Sequence, residues 1–401
     1  MAPSMMRLAS AAAILALSSS AQAASKYFLE KTYDYKNFFS EFDFYTGRDL
    51  SNGFVNYVGQ PAANDIAYIT HDKKVHLGVD SKNKYSTSGP GRKSVRLEGT
   101  DTFNHGLFVA NFSYLPAPAC GAWPAFWMYG PDWPNSGEID FYESWNDAKF
   151  NQITVHTSAG SKCTLAKDPS KFTGEILSSN CDNTIDNPPI QYPGTGCSIE
   201  EAAGSAAATS PFANPNGGIY AVEWTSDSIK VWSWKHGSPD LPNDIGSANP
   251  DPSGWGIPRS YVGKPNCDVD SYISKQHIVF NIDFCGDGAG NNFGSCSAAL
   301  HDPRYPASPQ GCAAYVADSP QVFAKTYFEI SDLKAYQLVN LVGVASRNSS
   351  SSSASSASST SSTSSVSSAS SASSSSASSK SASSSSASSS SASSSSASSS
   401  S

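Results

Sequence analysis

No hydrophobic run in the chain is long enough to cross a bilayer as a helix, which takes about 20 consecutive apolar residues. The best candidate, Leu8–Leu17, is too short; it follows the basic residue Arg7 and leads to Ala21-Gln22-Ala23, a small-residue cleavage site. Residues 1–23 therefore read as a secretory signal peptide, with the mature chain starting at Ala24. No Cys-x-x-Cys pair occurs among Cys120, Cys163, Cys181, Cys197, Cys267, Cys285, Cys296 and Cys312, which argues against a zinc site. An even set of cysteines in an oxidising compartment favours up to four disulfides, whose pairing the sequence leaves open. Basic clusters are also missing. The net charge of −8 argues against a nucleic-acid partner. Residues 345–401 lack aromatics and consist almost wholly of Ser with spaced Ala, so they cannot bury enough area to offset the entropy of ordering. That segment reads as an O-glycosylated stalk suited to cell-wall association. It reaches Ser401 without the hydrophobic tail of a lipid-anchor signal.

What remains is one globular segment, residues 24–344, and all 8 Trp, 18 Tyr and 19 Phe fall inside it. Long amphipathic helical stretches are missing here too; the dominant periodicity is two. Val75–Val79, Ser94–Glu98, Leu107–Leu115, Ile153–His156, Tyr220–Trp224, Ile229–Trp234, Ile278–Phe284 and Tyr327–Tyr336 are predicted strands, rich in β-branched and aromatic residues. Many short strands in one chain predict an all-β domain of two packed sheets or a barrel. Lys162–Gly217 and Lys235–Tyr261 read as long loops, the first pinned by Cys163, Cys181 and Cys197. Two glycosylation sequons start at Asn111, inside a predicted strand, and at Asn348, at the root of the stalk.

The chemistry concentrates in Ser136–Trp145, SGEIDFYESW. Alternate residues of a strand share a face, so Glu138 and Asp140 point one way and Ile139 and Phe141 the other. Glu143, five positions from Glu138, joins them only if a β-bulge adds one residue between Asp140 and Glu143. A row of like charges is costly unless something uses it. Glycoside hydrolysis does, needing two carboxyl groups in different protonation states, about 5–5.5 Å apart in the retaining case. An ionised neighbour raises the proton affinity of the other, as a general acid near neutral pH requires. A solvated acidic strand or a calcium site would also account for the acids alone. The surroundings favour a sugar cleft: Trp123, Phe126, Trp127, Tyr129, Trp133, Phe141, Tyr142 and Trp145 crowd one short stretch. Alternation sets Trp123 and Trp127 opposite to Phe126, which belongs to the core.

The run Gly121–Asn146, GAWPAFWMYGPDWPNSGEIDFYESWN, resembles the active-site segment of glycoside hydrolase family 16, in its fungal endo-1,3(4)-β-glucanase (laminarinase-like) branch. Gly91–Leu97 (GRKSVRL), Asn151–Thr157 (NQITVHT), Asn281–Asn291 (NIDFCGDGAGN) and Cys312–Gln337 extend the likeness in order through most of the globular segment. The resemblance implies a curved antiparallel β-jelly-roll sandwich with an open groove. It implies a retaining mechanism with Glu138 as nucleophile, Glu143 as general acid/base and Asp140 as assistant. It also places Trp127 and Trp133 beside the cut bond, His156 near the acids and Arg92 in the groove. No metal or cofactor is called for, the partner is a β-glucan polysaccharide, and the chain is expected to be a monomer. Phe141-Tyr142 and Ser144-Trp145 depart from the commoner aliphatic and Gly-Val pairs, and Trp145 is expected to narrow or extend a subsite.

Two other functions compete. A cell-wall transglycosylase would use the same nucleophile and pass the glycosyl unit to a sugar, although such relatives usually have one residue fewer before the last Glu. A non-catalytic glucan-binding wall protein would have no use for three clustered acids.

Overall fold

A computed structural model describes residues 25–201 and 210–340. The segments read as a signal peptide and a serine-rich stalk, and the Asn348 sequon, lie outside the described residues. Within them, antiparallel strands form two eight-stranded sheets. The groove sheet runs, edge to edge, Glu175–Ser178, Cys197–Glu200, Gln152–His156, Glu138–Glu143, Ala122–Tyr129, His277–Phe284, Arg96–Gly99 and Phe42–Phe44. The second sheet is built on Gly106–Tyr114, flanked by Gly218–Trp224 and by the long strand Phe328–Asn340, which also pairs with Ser25–Asp34. A short parallel pair, Val55–Tyr57 with Arg92–Ser94, stands apart. Neither sheet closes on itself, so the architecture is an open jelly-roll sandwich.

The sheets meet through aromatic side chains. Phe126 and Phe280, opposite each other on adjacent groove-sheet strands, stack with centroids 4.5 Å apart. Phe112 of the second sheet meets both edge-on at 5.7 and 6.3 Å, and Phe328 packs against Phe280 at 6.0 Å. Alternation explains why these rings are inside: Phe126, Met128, Ile139, Ile153, Val155, Ile278 and Phe280 take the inward positions of their strands and are all buried.

Two sequence expectations need correction. Lys162–Gly217 is not strandless, because Glu175–Ser178 and Cys197–Glu200 form one edge of the groove sheet. Only Ile176 and Ile199 supply an apolar signal there, and Leu177 is exposed, so alternation was too weak to read. Disulfides Cys163–Cys267 and Cys181–Cys197 do pin this segment, as expected, and Cys120–Cys296 and Cys285–Cys312 complete four bridges. The Ser94–Glu98 strand is divided: Arg92–Ser94 pairs with Val55–Tyr57, whereas Arg96–Gly99 pairs with His277–Phe284. Asn111 lies mid-strand, as expected, its amide oxygen 2.9 Å from His236 Nε2.

Removing a ring from the stacked pair leaves a cavity that the surrounding sheets cannot close. Phe280→Ala should therefore cost about 3–5 kcal/mol in urea-induced unfolding with the disulfides intact. A loss below about 1 kcal/mol would show that this pair does not hold the sheets together.

Candidate active site

The strand Glu138–Glu143 has the expected irregularity. Glu138 lies opposite Tyr129 and His156, and Asp140 opposite Trp127 and Thr154, after which the register slips on both sides. Pairing resumes with Tyr142 against Phe126 and Glu143 against Ala125 and Gln152. Phe141 is the extra residue. Two successive side chains, Phe141 and Tyr142, enter the core and are both 0% exposed. The next residue, Glu143, thereby returns to the face that carries Glu138 and Asp140.

The acids differ in their surroundings. Trp123 Nε1 donates to Glu143 Oε1 at 2.8 Å. The Trp123 indole is itself held close over the Gly288 backbone, where an added Cβ would come within 2.9 Å of the ring. Burial raises the Glu143 carboxyl to about 7, against the Trp123 hydrogen bond and the positive charge of His156, with Glu138 adding to the rise. Asp140 is pushed well above the ordinary carboxylate range, first by burial and then by the Glu138 charge. His156 behaves oppositely. Burial disfavours its charged form, but Glu138 and Asp140 outweigh that and raise it to about 10. Its Nε2 lies 3.3 Å from Asp140 Oδ2 and 3.7 Å from Glu138 Oε1, while Nδ1 faces Asn183 Oδ1 at 2.8 Å. Since a side-chain amide oxygen can only accept, Nδ1 carries a proton. Disulfide Cys181–Cys197 closes the loop that delivers Asn183. Burial and the neighbouring charges therefore push Asp140 toward its protonated form, while the adjoining carboxylates push His156 toward its charged form. Glu138, Asp140 and His156 also have the spacing of a metal site, each offering one ligand atom within 4.8 Å of the others.

The groove floor flanks these acids. Trp123, Trp127 and Tyr129 alternate with buried residues and are half-buried. Trp127 Nε1 donates to Asn281 Oδ1 at 2.8 Å, and Asn281 in turn donates to the Tyr57 hydroxyl at 3.1 Å. Trp133 stands in the turn before Glu138, 49% exposed. On the other flank a cavity of about 300 Å³ opens beside Glu143, with Trp145, Gln152, Leu177, Glu200 and Asn292 in its wall.

Arg92 is not a groove residue. It is fully buried, and its guanidinium donates to the carbonyls of Asp80, Asn83 and Val316. The arginine on the groove face is Arg96, whose guanidinium lies 5.0 Å over the Trp127 ring and 4.9 Å over that of Tyr45, with Nε bonded to Glu98 at 2.7 Å. Alternation could have found it: Arg96 and Glu98 share a face opposite the core residues Val95 and Leu97, while Arg92 precedes that strand. Asn151, Asn183 and Asn281 carried no comparable signal, because their hydrogen-bond partners follow from the tertiary fold and not from alternation.

An open jelly-roll whose groove sheet carries clustered carboxylates among half-buried tryptophans defines a class, the carbohydrate-active β-sandwiches. Residues 42–336 match the model of an XgeA-like, catalytic GH16 domain, and the chain belongs to glycoside hydrolase family 16. It is 36% identical over 317 residues to a probable endo-1,3(4)-β-glucanase of Aspergillus niger, an alignment covering 79% of this chain and 40% of that protein. The chain thus spans less than half the length of that relative. Among solved structures, it is similar to an elongating family 16 β-1,3-glucosyltransferase, with 36% identity and a TM-score of 0.68 over 78% of this chain and 100% of the other. It is equally similar in fold to laminarinase 16A from Phanerochaete chrysosporium, with β-glucans in donor and acceptor sites, at 32% identity and a TM-score of 0.68 over the same shares.

The bond from Trp123 favours the ionised form of Glu143, so its removal raises the proton affinity further. Trp123→Phe should move the Glu143 midpoint upward from about 7, read by 13C NMR of labelled glutamate carboxyls. A midpoint that stays or falls would show that this contact does not tune the acid.

Proposed function

We propose that this chain is a secreted, retaining endo-β-glucanase that hydrolyses β-1,3 or mixed β-1,3/1,4 glucan by double displacement, with residues 24–344 as its catalytic domain. The observation that carries this reading is the bulge: it turns Glu143, with a carboxyl that keeps its proton up to about 7, onto the face of Glu138. Glu138 attacks the anomeric carbon while the Glu143 proton passes to the departing glycosidic oxygen, leaving a glycosyl ester on Glu138. Glu143, now ionised, takes a proton from water, whose oxygen displaces Glu138 and restores the β configuration. Asp140 and His156 hold the nucleophile and stabilise its charge. Trp127, Trp133 and Trp145 offer ring faces to the sugar, and Arg96, rather than Arg92, supports the Trp127 side. The four disulfides fit an oxidising, extracytoplasmic setting.

Transfer to a sugar acceptor is the second reading. The likeness to an elongating glucosyltransferase at the same TM-score as the laminarinase supports it. Incubation with laminarin, lichenan and laminari-oligosaccharides distinguishes them: shortened chains indicate hydrolysis, and products longer than the input indicate transfer.

Glu138→Ala should abolish turnover while leaving the circular dichroism spectrum intact, and substantial residual activity would assign the nucleophile elsewhere. The first reducing sugar released should be the β anomer by proton NMR; an initial α product would exclude double displacement. Because Glu143 must be protonated for bond cleavage, kcat/KM on laminarin should fall as pH rises through about 7. A profile flat to pH 9 would place the acid at another group.

A further inference from the structure

A bulge creates an accounting problem. The extra residue has no partner in the ladder, and buried backbone N–H and C=O groups left unpaired are costly. In the strand Glu138–Glu143 one side chain resolves it from both sides. Asn151 Oδ1 accepts the Glu143 backbone N–H at 2.8 Å, and Asn151 Nδ2 donates to the Phe141 carbonyl at 2.9 Å. The orientation of this amide follows from its partners, since flipping it would set donor against donor and acceptor against acceptor. Asn151 is 0% exposed, so neither group can turn to solvent instead. Its own carbonyl is held by the Glu201 N–H at 2.8 Å, which anchors the residue independently of the bulge. Gln152, the next residue, sits opposite Glu143, so the carboxamide acts as a substitute rung directly beside the irregularity.

The alternative to the bulge is a regular strand, in which Glu143 would point to the core face, because a one-residue slip reverses every following side chain. We infer that Asn151 is the positioning residue for the proton donor: its two hydrogen bonds select the bulged register and so aim Glu143 into the groove. Glu138 pairs with Tyr129 and His156 ahead of the bulge, so the nucleophile does not depend on Asn151. This inference rests on the assignment of Glu143 as acid and Glu138 as nucleophile, and it predicts damage to one half of that pair only.

The test compares two substrates. Laminarin has a leaving group that needs a proton, whereas 2,4-dinitrophenyl β-laminaribioside releases a phenolate that does not. Glu143→Ala serves as the reference and should lose about 10²–10⁴-fold in kcat/KM on laminarin while losing far less on the aryl glycoside. Asn151→Leu, which keeps the side-chain shape and removes both hydrogen bonds, should show the same split, with at least about 10²-fold lost on laminarin. Retained cleavage of the aryl glycoside certifies that the variant is folded. Asn151→Asp keeps the acceptor for Glu143 and loses the donor to Phe141, and it should show the split to a smaller degree. This variant carries the test if the leucine variant does not fold. Equal losses on both substrates, or a wild-type ratio in both variants, would overturn the inference. If Glu143→Ala itself shows no split, the assignment of the acid fails instead.

Discussion

The strand from Glu138 to Glu143 must serve two incompatible surroundings, and the rest of the molecule is arranged around that demand. One face meets the aromatic layer between the sheets, where Ile139, Phe141 and Tyr142 are buried. The other carries three carboxyl groups. Strict alternation would allow only the first two acids on the groove side, and a third can join them only where the ladder is broken. The break is tolerated because Phe141 and Tyr142 both find room among Phe126, Phe212, Tyr220 and Phe328, and because the freed backbone groups are bonded by Asn151. The substitution of bulky aromatics at 141 and 142 is thus a matter of core filling under the bulge.

Electrostatics impose the next constraint. Three acids on one half-buried face would repel each other strongly if all were ionised. The cluster avoids this by protonating selectively. Burial pushes Asp140, the deepest of the three, toward its protonated form and raises Glu143 to about 7, while the carboxylates raise His156 to about 10. Each shift has an identifiable origin: Glu138 and Asp140 raise His156 against its burial, and burial raises Glu143 against the hydrogen bond from Trp123. Protonation differences among like residues therefore arise from depth and hydrogen bonding, with no change of residue type.

Much of this was legible in the amino-acid order. The eight predicted strands correspond to strands in the structure, apart from one division at Val95, and the bulge followed from counting positions between Glu138 and Glu143. Legibility failed where a strand presents little apolar surface. Glu175–Ser178 and Cys197–Glu200 lie at the sheet edge and send only single isoleucines inward, so nothing marked them against the surrounding loop. It also failed where a role depends on distant segments meeting. Alternation marks Arg96, which lies over Trp127, but nothing local shows that Arg92, four residues earlier, is sealed among the carbonyls of Asp80, Asn83 and Val316. The polar supports Asn151, Asn183 and Asn281 have no periodic pattern, because each is chosen by particular partners brought to it by the fold.

The order of strands across the groove sheet has a consequence for when the site is complete. Ala122–Tyr129, which carries Trp123 and Trp127, is hydrogen-bonded on one side to the acid-bearing strand that follows it and on the other to His277–Phe284, about 150 residues later. Such non-local pairing must wait for a long intervening segment to close, and sheets of this kind form late and slowly. The hairpin bearing the acids can assemble early, but Asn281, which anchors Trp127, and Gly288, which seats Trp123, arrive only near the end of the domain. A partly folded chain would therefore carry the clustered carboxylates without a finished cleft. The site is completed by the last strands, so the order of its assembly is written into the topology.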